Sequence, residues 1–127
     1  MATGAQILVV EDNERNMKLF RDVLHASGYR TLEAATGERA VELVFEHRPD
    51  LVLMDIQLPD IDGVEALSRL RADERFASVP VLAVTAQAME GDRERFLAAG
   101  FDGYLSKPVN IAEFVATVKR YCEDGTR

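Results

Sequence analysis

Five short, strand-length runs alternate along the chain with segments whose apolar residues recur at helical spacing. The runs are Ile7–Val10, Thr31–Ala34, Leu51–Met54, Val81–Val84 and Tyr104–Ser106. Such alternation predicts a parallel α/β sheet. Ile7–Val10, Leu51–Met54 and Val81–Val84 are continuously apolar, as strands covered by helices on both faces need to be. Thr31–Ala34 and Tyr104–Ser106 are more polar, which places them towards the sheet edges.

Helix signals fill the intervals. Asn13 can cap a first helix whose Met17, Phe20 and Leu24 share a face and which Gly28 closes. Thr36 caps a second, acidic early through Glu38 and Glu42, with Arg48 late and Pro49 ending it. A third runs from about Gly63 to Ala72 with Val64, Leu67, Leu70 and Arg71. The fourth, around Asp92 to Ala99, shows only Phe96 and Leu97 as an apolar pair before Gly100. In the last, Ile111, Phe114, Val115, Val118 and Cys122 recur at helical spacing behind the candidate cap Asn110. The element order is therefore (βα)5.

Composition narrows the class without choosing a function. The chain has 127 residues, 47% hydrophobic and 29% charged, with a net charge of −7. That is enough chain to bury a core, and the acidic balance argues against a nucleic-acid footprint, which needs a basic face. No apolar stretch approaches the ~20 residues that span a membrane, and Met1–Gln6 lacks the features of a signal peptide. The single Cys122 cannot form an internal disulfide and reads as a small hydrophobe. A cytoplasmic setting is expected. Only Glu123–Arg127 follow the fifth helical segment. The expectation is one domain over 1–127, its core about 5–122, with no output domain.

The chemistry gathers where the runs end. Glu11-Asp12 follow the first run, Asp55 the third, Thr85 the fourth, and Lys107-Pro108 the fifth. If the runs are parallel neighbours, three carboxylates, a hydroxyl and an ammonium meet at one sheet edge. Such a cluster is costly through repulsion and desolvation, which points to function rather than stability. In an open α/β sheet of order 2-1-3-4-5, ligands bind where the order reverses, between the first and third strands. Carboxylates there suit Mg²⁺, which takes them together with water and phosphate oxygens. A carboxylate beside the cation can attack phosphorus and become an acyl phosphate, with Lys107 adding positive charge. Lys107-Pro108 is a plausible cis bond that would turn the lysine inward.

These residues resemble the receiver domain of two-component response regulators, the CheY-like family. The resemblance rests on Val9-Val10-Glu11-Asp12-Asn13, Leu53-Met54-Asp55-Ile56-Gln57-Leu58-Pro59 with Gly63, Val84-Thr85-Ala86, and Tyr104-Leu105-Ser106-Lys107-Pro108. Each part alone is weak, but four in order, each at a strand end, are specific. The stretches Asp12–Phe20 and Ala88–Glu94 look most like single-domain regulators of the DivK type, and similar stretches occur in receivers fused to hybrid histidine kinases. Leu58 stands where the family often has methionine, a volume-conserving exchange.

The resemblance implies a flavodoxin-like fold and a set of roles. Asp55 would be the phosphoacceptor. Asp12, Asp55 and the Gln57 carbonyl would hold Mg²⁺ (or Mn²⁺), with Glu11 acting mainly through a water. Thr85 and Lys107 would contact the phosphoryl group, and Tyr104 would be the aromatic that switches between exposed and buried positions. Phosphate would come from a phosphohistidine on a sensor kinase or phosphotransfer protein. A downstream kinase or regulator would dock on the face of the fourth helix, fifth strand and fifth helix. His25 and His47, near predicted helix ends, read as surface residues.

Two other readings fit less well. An aspartyl-nucleophile phosphatase or phosphotransferase acting on small substrates commonly carries a second Asp two residues after the nucleophile, where this chain has Gln57. A flavin-binding electron carrier would place a hydroxyl- and glycine-rich phosphate loop after the first strand, where Glu11-Asp12 stand.

Overall fold

A computed structural model describes residues 4–86 and 91–123. Five strands, β1 (Gln6–Val10), β2 (Arg30–Ala34), β3 (Leu51–Asp55), β4 (Val81–Thr85) and β5 (Gly103–Ser106), alternate with helices α1 (Glu14–Ala26), α2 (Gly37–His47), α3 (Gly63–Arg71), α4 (Asp92–Ala99) and α5 (Ile111–Glu123). All pairings are parallel, in the order β2-β1-β3-β4-β5. The polar strands β2 and β5 form the edges, as expected from their composition. Residues Ala88–Glu90 of the DivK-like stretch lie outside the described residues.

Because successive strand residues point to opposite faces, each central strand feeds two cores. Ile7, Val9, Leu51, Leu53, Leu82 and Val84 pack with Phe20 and Leu24 of α1 and Phe114 and Val118 of α5. Leu8, Val10, Val52, Met54, Val81 and Ala83 pack with Val44 of α2, Leu67 and Leu70 of α3, and Phe96 of α4. Phe114 is fully buried and stacks on Phe20, centroids 5.2 Å apart, joining α1 to α5. Truncating such a ring to alanine costs ~3–5 kcal/mol.

The caps read from sequence form. Asn13, Thr36 and Asn110 accept backbone N–H groups from Asn16, Arg39 and Glu113 at 3.0–3.1 Å. Gly28 and Gly100 take positive φ just past α1 and α4. Three details differ. α2 stops at Arg48, in a left-handed conformation (φ 49°), before Pro49 is reached. The buried face of α3 is Gly63, Ala66, Leu67 and Leu70, leaving Val64 39% exposed. Leu97 and Ile111, at apolar positions of α4 and α5, are likewise exposed, and Tyr121 is buried instead. An isolated apolar residue at a helical position can face water at small cost, so periodicity alone does not settle its burial.

A 3-10 turn at Glu74–Phe76 is not legible in the sequence. Below it, Arg71 donates to the carbonyls of Phe76, Val79 and Gly100 and to Asp102, tying α3, the 3-10 turn and the end of α4 together. Both histidines lie at the surface, His25 with a 2.9 Å contact to Thr31 Oγ1. Cys122 is half-buried and packs against the α1/α5 core. No helix among the described residues is long and apolar enough to cross a membrane.

Candidate functional site

Register carries the strand ends to one place. Val10 pairs with Met54, so Glu11 and Asp55 leave their strands at the same level. Asp55 pairs with Val84, which sets Thr85 one step further, and Thr85 pairs with Ser106, which sets Lys107 one step beyond that. The sequence-predicted residues thus form a short staircase across the reversal between β1 and β3.

Glu11, Asp55 and Thr85 are buried, at 2%, 5% and 2% exposure, whereas Asp12 is exposed. One oxygen from each of Glu11, Asp12 and Asp55 lies within 4.8 Å of the others. Lys107, joined to Pro108 by a cis bond, sends its ammonium into this group. Nζ donates to Asp55 Oδ2 at 3.1 Å and stands 2.6 Å from Glu11 Oε1. The second contact is a charge contact outside hydrogen-bonding geometry, since Glu11 Oε1 is buried without a hydrogen-bond partner. Glu11 Oε2 accepts the Asn13 amide, and Asp55 Oδ1 accepts the Gln57 amide at 3.0 Å.

One lysine therefore faces two buried carboxylates. Burial raises the Glu11 carboxyl above its ordinary value; the Lys107 ammonium and the bond from the Asn13 amide oppose this, and the nearby Asp55 charge adds to the rise. For Lys107, burial pulls downward, but the two carboxylates outweigh it and hold the ammonium above its usual value. The lysine stays charged at every physiological pH.

The donor set fits a hard divalent cation. It consists of carboxylate oxygens, those of Glu11 and Asp55 buried and that of Asp12 exposed to water, which can supply further oxygen ligands. Tyr104 is half-buried on β5, its ring 6.0 Å from that of Phe96 in α4.

Two further acidic residues of the loop after β3 carry structural bonds that the sequence reading does not include. Asp62 caps α3 by accepting the Glu65 amide, and its spacing from Glu65 is that of a capping box. Asp60 accepts the amides of Gly37 and Glu38 at the start of α2. No local signal announces Asp60, because its partners lie more than twenty residues away. Gly63, part of the receiver-like sequence pattern, is required sterically: a Cβ there would sit 2.6 Å from the Asp55 carbonyl.

An open parallel sheet with an acidic cluster at its reversal and a lysine from β5 facing that cluster defines a receiver. The chain belongs to the response regulator receiver domain family, whose model matches residues 7–119. It is 50% identical over 119 residues to the polar-differentiation response regulator DivK of Brucella anthropi, covering 94% of this chain and 97% of that protein. The DivK proteins of Brucella ovis and Brucella suis match equally well. Among solved structures, it resembles the receiver domain of sensor histidine kinase PA1611 from Pseudomonas aeruginosa, which has a magnesium ion coordinated in the active-site cleft. That likeness has a TM-score of 0.88 at 40% identity, over 98% of this chain and 100% of the other. Chemotaxis protein CheY4 of Vibrio cholerae matches with a TM-score of 0.85 at 26% identity, over 91% and 97%. The small-substrate phosphatase reading is not favoured.

Proposed function

We propose that this chain is a single-domain switch that takes a phosphoryl group from a phosphohistidine onto Asp55. The observation that carries the reading is the geometry around Asp55. It is a buried carboxylate with one oxygen on the Gln57 amide and the other on Lys107, beside two further carboxylates suited to a divalent cation. In the transfer, an Asp55 oxygen forms a P–O bond as the P–N bond to the donor imidazole breaks, and the imidazole leaves with that electron pair. Asp12, Asp55 and the Gln57 carbonyl would hold Mg²⁺, or Mn²⁺ in its place. When bound, the cation neutralises phosphoryl oxygens. Glu11, engaged by Lys107 and the Asn13 amide, would act through a water.

Lys107 and Thr85 would receive the phosphoryl oxygens. Hydrolysis of the acyl phosphate, or its passage to a second phosphotransfer protein, would reset the switch. The domain would span 1–127, act in the cytoplasm and speak through its own surface to a histidine kinase and a downstream protein. The direct test is intact-mass analysis after incubation with an acyl phosphate. One added phosphoryl group that requires Mg²⁺ is the expected result, and no addition overturns the proposal.

Lys107→Ala should still accept phosphate in Mg²⁺ but switch poorly, because the charge that binds the product is gone. Its metal-free form should also be less stable, by roughly 2–3 kcal/mol. That is somewhat below the usual cost of orphaning a buried charge, since a buried carboxyl left without its lysine can take up a proton instead. Labelling as poor as that of Asp55→Asn would show that its role lies in the transfer itself.

The signal would run from Thr85 to Tyr104. A phosphoryl group on Asp55 offers the Thr85 hydroxyl a charged acceptor, stronger than a neutral one. Drawing Thr85 inward would open room beside β5 for Tyr104. The helix free to follow is α4, where Phe96 is buried, Leu97 exposed, and the N-cap Gly91 makes no side-chain capping bond. Thr85→Ala should accept phosphate but lose the phosphorylation-dependent change in partner affinity, about 5–150-fold for a typical coupling. Chemical-shift changes confined to α1 and α2 would mean the signal leaves by another face.

A further inference from the structure

The loop between β3 and α3 carries an attachment that the phosphoryl chemistry does not use. Asp60 accepts the Gly37 amide on Oδ1 at 2.8 Å and the Glu38 amide on Oδ2 at 2.9 Å. Both amides belong to the first turn of α2, where unpaired N–H groups and the helix dipole favour an anion. That turn already has its own cap, since Thr36 Oγ1 accepts the Arg39 amide at 3.1 Å. Asp60 is thus a second cap that comes from another element.

The two segments also touch without slack. Gly37 is buried, and a Cβ there would meet Ile61 Cγ1 at 2.5 Å and the Ile61 carbonyl at 3.1 Å. The hydrogen bonds that Asp60 accepts pull the loop towards α2, and Ile61 against the bare Gly37 backbone limits how near it comes. The loop's distance from α2 is therefore fixed from both sides.

At its other end the same loop reaches the site. Gln57 donates its amide to Asp55 Oδ1, and Gly63 donates to the Ile56 carbonyl at 2.9 Å, closing the loop at its base. Between Gln57 and Asp60, Leu58 packs into the α2/α3 core, and Pro59 has its φ fixed by its ring. With little freedom between them, a shift of Asp60 reaches Gln57 rather than being absorbed on the way.

We propose that Asp60 is a positioning residue for the metal site, tying the loop that presents the Gln57 carbonyl to the amino-terminal turn of α2 so that the two move as one body. This rests on the reading that Asp12, Asp55 and the Gln57 carbonyl hold the cation. It makes α2 a second element coupled to the site, on the same face of the sheet as α4 but over β1 and β2 rather than β5. By reciprocity, occupation of the site must hold the start of α2 more firmly.

The experiment is a Mg²⁺ titration of the full chain, followed by the Gln57 amide chemical shift, for wild type, Asp60→Ala, Asp60→Asn and Thr36→Ala. Asp60→Ala should weaken Mg²⁺ binding about tenfold, the low end for losing an outer partner of a metal site. Asp60→Asn, which keeps one carbonyl acceptor, should fall between. Thr36→Ala removes the helix's own cap but leaves the tether, so it should melt lower yet bind Mg²⁺ as wild type does. In wild type, Mg²⁺ should slow amide exchange at Gly37 and Glu38 more than at Arg39, a comparison that needs no variant to fold. Equal weakening in Thr36→Ala and Asp60→Ala would overturn the proposal, because the loss would then come from a frayed α2. Wild-type affinity in Asp60→Ala would overturn it too, leaving the metal reading intact. A wild type that does not respond to Mg²⁺ would remove that reading and this proposal together.

Discussion

Asp55→Asn should take up no phosphoryl group from an acyl-phosphate donor under conditions that add one to wild type. Asparagine preserves the shape of the side chain, and its carbonyl can still accept the Gln57 amide that Asp55 Oδ1 accepts at 3.0 Å. What it lacks is a carboxylate oxygen able to form the acyl phosphate. Asp12 and Glu11 offer carboxylates within 4.8 Å, so the variant also asks whether either can substitute. The geometry says no. Glu11 is held by Lys107 and the Asn13 amide, and Asp12 is exposed, away from the lysine's reach at Asp55. Intact-mass analysis with equal labelling of wild type and variant would falsify the assignment.

The same geometry predicts that chelating the metal stops labelling of wild type. Two unit charges 4.8 Å apart repel by about 3.5 kcal/mol at an effective dielectric constant near 20. Three carboxylates against one lysine leave an approaching phosphoryl group facing net negative charge. Labelling that persists in chelator would mean that Lys107 alone suffices.

Mg²⁺ should raise the melting temperature of wild type strongly. A ligand that binds only the folded state adds ~2.7 kcal/mol at a hundredfold excess over its dissociation constant, and more, logarithmically, beyond that. For a domain of this size that is roughly ten degrees. The metal-free protein begins from a deficit whose pH dependence has a definite sign. Burial raises the folded-state pKa of Glu11, with the Asp55 charge adding to it against the pull of Lys107. A raised carboxyl stabilises the fold fully below its unfolded pKa, and that contribution is lost as pH rises through the folded value. Metal-free wild type should therefore lose stability from this group as pH rises from the ordinary carboxylate range through the raised folded value, and Mg²⁺ should restore it.

Asp55→Asn should melt higher than wild type without metal, because Glu11 and Lys107 then pair one to one. It should also gain less from Mg²⁺. Asp12→Ala should gain less from Mg²⁺ too, but rise less without it, since exposed charge is screened by water. A wild-type melting temperature indifferent to millimolar Mg²⁺ would count heavily against the site.

Much of this is legible in the sequence alone. Strand runs, their order of burial and three helix caps follow from local rules, because an apolar run or a capping side chain acts on its near neighbours. Errors came where tertiary packing decides. Val64, Leu97 and Ile111 occupy apolar helical positions yet face solvent, while Tyr121 is buried with its hydroxyl donating to the Asp102 carbonyl. Arg71 belongs by spacing to the face of α3, but its guanidinium holds Gly100 and Asp102, about thirty residues on.

The sequence by itself determined the chemistry: which acids, which hydroxyl and which lysine stand at strand ends, since a residue's place after a strand is set by the run before it. Only the tertiary structure decided how that chemistry is balanced. Parallel register brought Lys107 between Glu11 and Asp55 and left Asp12 in solvent. It also set Asp60 against the first turn of α2, across a gap too close for any side chain but glycine at position 37. Contacts between residues distant in sequence depend on where whole elements pack, and no local pattern encodes that distance.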